Sequence, residues 1–169
     1  MKRALCWRSV AVLLLLSNLT LSASPAFAQA DDGAVLAGLK EVKVSFDITT
    51  GEGNALLNRL NVIDETRQSL IKQGVTPSFV LAFRGPATKL VQTDMSKVKP
   101  EDKEAVFKIA EKLKQLSQAP GVHSIEQCSV AIRQQETKAE NVLPSIKVVG
   151  NSWISLMSYQ AKGYAYIQP

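Results

Sequence analysis

Nucleophiles and metal ligands are scarce in this chain. Its 169 residues include one histidine, His123, and two cysteines, Cys6 and Cys128. A zinc centre of the His/Cys kind needs a local cluster of such ligands, so none can assemble from this inventory. A Ser-His-Asp set is excluded on the same ground, since the one histidine has no suitable surroundings. No CxxC pair is present, which removes dithiol redox chemistry. Neither GxGxxG nor GxxxxGK[ST] occurs, and the glycine-bearing stretch TTGEGN (49–54) reads as a tight strand-to-helix turn. The early apolar run is shorter than the roughly 20 residues a membrane-spanning helix requires. No internal repeat or low-complexity segment is visible.

What that early segment does show is a tripartite layout. MKRALCWR carries Lys2, Arg3 and Arg8 with no acid, SVAVLLLLSNLTL is apolar, and SASPAFAQA supplies small residues with an Ala26-Phe27-Ala28 pattern. This is the arrangement of a secretory signal peptide, with cleavage expected after Ala28. Cys6 precedes the apolar run, which argues against lipoprotein processing. Cleavage would take Lys plus Arg from 20 to 17 against 15 acids, so the net charge falls from +5 to +2. A balance that close to neutral does not supply the clustered basic face of a nucleic-acid binder. Cleavage also leaves Cys128 as a single thiol in an exported protein. Such a thiol is buried and inert, reactive, or linked between molecules.

Beyond residue 28 the pattern alternates. Residues 29–40 read as a tail or a short, weak helix. EVKVSFDI (41–48) has the β-branched and aromatic content of a strand. The helix that follows runs to Gly74, with Leu56, Leu57, Leu60, Val62, Ile63, Leu70 and Ile71 on mostly one stripe. SFVLAFRG (78–85) is apolar through its centre, as in a strand buried on both faces. A third element opens with Pro100-Glu101-Asp102, acids at the positive end of a helix. It continues through Val106, Ile109, Ala110, Leu113 and Leu116 to Pro120-Gly121. VHSIEQC (122–128) is a strand, SVAIRQQ a short helix, and IKVVGN (146–151) a strand. SWISLMSYQAKG is a helix with Ser152 as N-cap and Gly163 as stop, and YAYIQ (164–168) is a final strand. This order predicts a single α/β domain over residues 41–169, a three-layer sandwich around a five-stranded, mainly parallel sheet.

In such sheets, sites form outside the carboxyl ends of the strands. Cys128 falls there, at or beside the start of a short helix, where unpaired amides favour a thiolate. Arg84 ends the second strand at the same edge and is a candidate counter-ion. Ser129, the first residue of the short helix, is a second candidate to stabilise an anion. Arg133 lies about one and a half turns on. His123 stands five residues before Cys128, roughly 16 Å away along an extended strand, too far for a Cys-His pair. Asp47 is open to two readings, a site residue or a turn-capping acid, with the cap favoured, and Tyr164 and Tyr166 read as partners on one half-buried strand face. A small buried hydrophobe is the other reading of Cys128.

Several segments together resemble the DsrE/DsrF-like sulfur-relay family in its small exported form. They are KVSFDITTGEGNALLNRLNVIDE, VLAFRGPATKLV, GVHSIEQCSVAI and the ending LMSYQAKGYAYIQP. The resemblance covers nearly all of residues 41–169. It implies a five-stranded α/β fold assembled as a trimer or hexamer, and, for a Gram-negative source, a periplasmic location. It also implies a cysteine at the end of the third strand, Cys128 here, that carries sulfane sulfur as a persulfide between donor and acceptor proteins or small sulfane-sulfur compounds. No cofactor or metal is implied, nor any nucleic-acid or membrane partner after signal cleavage. Two departures stand out: Arg84-Gly85-Pro86 replaces the His-Gly-Pro of many relatives, and Ser129 to Ile132 differ from the Cys-Gly-Asn pattern of many exported ones. The alternative function is a non-catalytic oligomeric binding or scaffold protein with an inert cysteine.

Overall fold

The alternation of strand and helix read from the sequence is the architecture the chain adopts. A computed structural model describes residues 32–169, which form one compact unit. The segment expected to be a signal peptide, residues 1–28, and the first residues of the tail lie outside the described residues.

A four-residue helix, α1 (Gly33–Leu36), precedes β1 (Glu41–Ile48). Then follow α2 (Gly53–Lys72), β2 (Thr76–Phe83), a 3-10 segment (Gly85–Val91), α3 (Lys103–Ser117), β3 (Val122–Cys128) and α4 (Ser129–Gln134). The chain ends with β4 (Lys147–Val149), α5 (Ser152–Ala161) and β5 (Ala165–Ile167). The five strands form one sheet in the order β4-β3-β2-β1-β5, and every neighbouring pair is parallel. The predicted α/β sandwich is therefore the observed fold. α2 and α3 pack together on one face, and α5 crosses the other against β1, β2 and β3.

Strand alternation makes the two faces unlike. Toward α2 and α3 point Val44, Phe46 and Ile48 of β1, Phe79, Leu81 and Phe83 of β2, and Ile125 of β3, all members of one buried cluster. Phe46 and Phe79 meet edge to face at 5.1 Å. The intervening residues Ser45, Asp47, Val80, Ala82, Glu126 and Cys128 are small or polar, and all are buried. α5 lies on this second face.

Several predicted boundaries shift. β2 starts at Thr76, two residues early, because Thr76 N–H donates to the Lys40 carbonyl at 2.9 Å and opens the ladder ahead of Pro77. Proline's missing donor is tolerated near the start of a strand. In α2 the stripe is Leu56, Leu60, Ile63, Arg67 and Leu70, while Val62 and Ile71 face solvent. Arg67 holds a core-facing position because its guanidinium is satisfied there. Nε and Nη2 donate to Asp64 at 2.9 and 2.7 Å, and Nη1 donates to the Pro120 carbonyl at 3.0 Å. The α5 N-cap is Asn151, whose Oδ1 accepts from Trp153 N–H at 3.0 Å, in place of Ser152.

The TTGEGN turn is closed by protein contacts. Gly53 N–H donates to Asp102 Oδ1 at 2.7 Å, so a carboxylate already occupies the positive end of α2. A Cβ on Gly51 would stand 2.5 Å from Pro86 Cβ, which leaves glycine as the residue that fits. Asp102→Ala is expected to lower stability by about 1–2 kcal/mol through loss of this bond. A lower urea midpoint at unchanged slope is the expected result.

Candidate functional site

The carboxyl ends of β1, β2 and β3 meet at one edge of the sheet, and Cys128 is the last residue of β3. Ala82 of β2 stands opposite Glu126 of β3. Two residues further, on the same face, Arg84 comes level with Cys128. Arg84 has an extended backbone, so its side chain continues the alternation of β2. The two residues line a cleft of about 180 Å³ together with Gly85, Val130, Ala131, Gln134, Asn151 and Trp153. Gln134 and Trp153 are exposed, so the cleft opens to the surface.

Cys128 is 4% exposed. It sits between two helix N-termini. It is itself the N-cap residue of α4, and its Sγ accepts from the backbone N–H of Ser152, the first residue of α5, at 3.4 Å. Burial pushes the thiol up, but the combined donors outweigh it and the net shift is downward. Those donors are the Ser152 N–H, the Ala131 N–H, the Ser152 hydroxyl and the Val130 N–H. No cap hydrogen bond closes from Cys128 Sγ onto α4. The Ala131 and Val130 amides therefore act as oriented dipoles at longer range, and the Ser152 N–H makes the defined bond.

Arg84 is committed elsewhere. Nε and Nη2 donate to the two carboxylate oxygens of Asp47 at 2.7 and 2.6 Å. Asp47 is 1% exposed and also accepts from the Tyr166 hydroxyl at 2.6 Å. The Arg84 guanidinium lies 5.8 Å from the centre of the Trp153 ring. Asp47 is thus the counter-ion of Arg84 and not a turn cap. The bonds to Asp47 raise the Arg84 pKa still further. What Arg84 offers the cleft is a fixed wall whose charge is largely neutralised. Ser129 is placed differently again: its hydroxyl accepts from Arg133 Nη1 at 3.1 Å, and it does not line the cleft. The serine that reaches the sulfur is Ser152, the first residue of α5, through its backbone N–H.

Beneath the cleft, Glu126 is 3% exposed and accepts from three hydroxyls. Ser124 and Tyr159 donate at 3.0 and 2.9 Å, and Ser155 donates as well. Ser155 and Tyr159 belong to α5, so the carboxylate ties that helix to β3. Burial and the Glu126 carboxylate push the Tyr159 phenol up to about 12. His123, at the far end of β3, packs its ring against Tyr159 at 5.9 Å and Tyr164 at 6.3 Å and has no part in the cleft. Tyr164 and Tyr166 each use their hydroxyl, the first with Ser78 at 2.9 Å and the second with Asp47. Among the described residues, no group of three or more His, Cys, Asp and Glu converges as a metal site.

No protein-family model matches the chain. It is 29% identical over 126 residues to an uncharacterized protein of Aquifex aeolicus (strain VF5), covering 75% of this chain and 55% of that relative. The chain therefore spans about half the length of the curated relative it matches. A solved structure of a protein of unknown function from Methanobacterium thermoautotrophicum superposes with a TM-score of 0.59 at 17% identity, covering 76% of this chain and 99% of the other. That likeness concerns the fold alone, and the class the fold defines, a parallel α/β domain, rests on the chain's own sheet.

Two outcomes follow from these contacts. Arg84→Met strands a buried carboxylate and is expected to cost roughly 2–3 kcal/mol in denaturant unfolding, with part recovered by adding Asp47→Asn. The Tyr159 phenol is raised in the folded protein above its unfolded value of about 10. Stability contributed by the neutral phenol is therefore complete below pH 10 and is lost as pH climbs from about 10 toward about 12. The bond to Asp47 raises the Tyr166 phenol as well, so phenolate absorbance should show more than one tyrosine ionising late, and Tyr159→Phe should remove one of these steps and soften the alkaline loss.

Proposed function

We propose that residues 41–169 are a sulfur-carrier domain of the DsrE/DsrF-like kind, exported to the periplasm, in which Cys128 holds sulfane sulfur as a persulfide. The observation that carries this reading is the placement of Cys128 Sγ between the N-termini of α4 and α5, with its thiol lowered, at the base of a cleft that opens to the surface. A thiolate is the form that attacks sulfur. Exchange between sulfurs needs one accessible thiolate and neither a metal nor a second cysteine. The Cys128 thiolate attacks the outer sulfur of a donor persulfide, R–S–SH. A new S–S bond forms on Cys128, the donor S–S bond breaks, and R–S⁻ leaves with the electron pair. An acceptor thiolate then repeats the step on Cys128–S–SH. The cleft admits a small sulfane-sulfur compound or the reactive tip of a donor or acceptor protein.

A homo-oligomer, trimer or hexamer, belongs to this proposal. Trp153, which lines the cleft, and Ile154 and Met157 further along α5 are large side chains left exposed, as are Tyr166 and Ile167 on the edge strand β5. Exposed apolar surface of this kind favours association.

The alternative, an oligomeric scaffold with an inert thiol, is favoured by the low exposure of Cys128. Thiol titration separates the two. Cys128 in the folded protein should react with iodoacetamide with a midpoint below the ~8.5 of a free cysteine. Treatment with polysulfide should add the mass of one sulfur atom, and Cys128→Ser should abolish the adduct while the circular dichroism spectrum is kept. A thiol that reacts only after denaturation would establish the scaffold reading.

A further inference from the structure

We infer that Ser152 is a positioning residue for sulfur release: its backbone N–H and its hydroxyl together hold the charge that returns to Cys128 Sγ when the cysteine hands its sulfur on. The inference rests on Cys128 being the sulfur-carrying thiol proposed above.

The starting observation is an unsatisfied group. Ser152 is fully buried, and its Oγ has no hydrogen-bond partner among the described residues. A buried hydroxyl left unpaired is destabilising relative to a methyl group of the same size. A helix start that needed only a small residue would therefore be better served by alanine. The nearby serine and asparagine are already engaged, Ser129 with Arg133 and Asn151 as the cap that accepts from Trp153 N–H. The Ser152 N–H points at Cys128 Sγ from 3.4 Å, and the unpaired hydroxyl of the same residue is among the groups that lower that thiol. A thiolate there completes the bonding of the hydroxyl, which then donates to the charged sulfur.

Both donors address Sγ, the inner sulfur of a persulfide. Loading converts Cys128–S⁻ and R–S–SH into Cys128–S–SH and R–S⁻, so Sγ loses its charge. Release converts Cys128–S–SH and R′–S⁻ into R′–S–SH and Cys128–S⁻, so the charge returns to Sγ. Donors fixed on Sγ stabilise the empty carrier over the loaded one. They also lower the pKa of Cys128 as the leaving group, which speeds its departure. Ser152 thus biases the site toward passing sulfur on. Glu126 supports this from below, because its bonds to Ser155 and Tyr159 hold the helix that presents Ser152.

The test compares the folded wild-type chain with Ser152→Ala and Ser152→Thr, the second retaining the hydroxyl. The rate of iodoacetamide alkylation is followed against pH, and polysulfide-loaded protein is assayed for transfer to glutathione. Ser152→Ala should raise the midpoint by about one pH unit, a roughly tenfold loss of thiolate below it, and slow release several-fold. Ser152→Thr should stay near wild type in both. Superimposable pH profiles for wild type and Ser152→Ala, with Cys128 reactive in both, would overturn the role of Ser152 and leave the carrier reading standing. A folded wild-type thiol that does not react at all would remove the carrier reading itself. If Ser152→Ala does not fold, the wild-type protein decides. Its Ser152 amide proton should titrate with the Cys128 midpoint by NMR, and the shift should be absent in Cys128→Ala. An amide that does not titrate counts against the inference.

Discussion

The inequality between the two faces of the sheet is the constraint from which the site follows. Alternation along β1, β2 and β3 sends the large apolar residues to α2 and α3 and leaves Ser45, Asp47, Val80, Ala82, Glu126 and Cys128 for the other side. A face so poor in bulk cannot support a second thick hydrophobic layer. It is covered instead by one helix, α5, held by hydroxyls on a buried carboxylate. A helix seated over β1 to β3 brings its N-terminus to the carboxyl end of β3. The backbone N–H of Ser152 reaches Cys128 as a consequence of that docking.

The electrostatics of the cleft come mainly from oriented amides and only slightly from a cation. Arg84 is the one cationic side chain lining the cleft, and it is bonded at two nitrogens to Asp47. Removing that carboxylate from water without a partner would be costly, so Asp47 claims the guanidinium and Tyr166 completes its shell. The thiol shifts downward against the opposing effect of burial because most of the donors around it are backbone groups fixed by two helices. Charge held in this way does not depend on the rotamer of a long side chain. Trp153, stacked near the guanidinium, makes Arg84 part of a rigid wall.

Much of the fold was legible because the strands carry strong local signals. β1 and β3 lie where β-branched and aromatic residues marked them, at Glu41–Ile48 and Val122–Cys128, and both long helices were found. The misplaced details have tertiary causes. Arg67 faces the core because Asp64 and the Pro120 carbonyl are there to receive its donors. Asp47 looked like a local cap, since its ion-pair partner is 37 residues away. Ser129 and Ser152 each stand at the start of a helix, and sequence offers no means of choosing between them. Arg133, one turn along α4, takes Ser129, whereas the docking of α5 buries Ser152 against the sulfur.

By itself, the sequence determined the parallel α/β class, the order of elements, the position of Cys128 at a strand end and its separation from His123. These are local matters of period, composition and spacing along one strand. Tertiary structure alone decided what surrounds the thiol. The second helix terminus, the loss of Arg84 to Asp47 and the unpaired hydroxyl of Ser152 all join segments distant in the chain. The reason is physical: a hydrogen bond or ion pair depends on the separation of two groups in space, and only the packed sheet brings residues 47, 84, 128 and 152 to one edge.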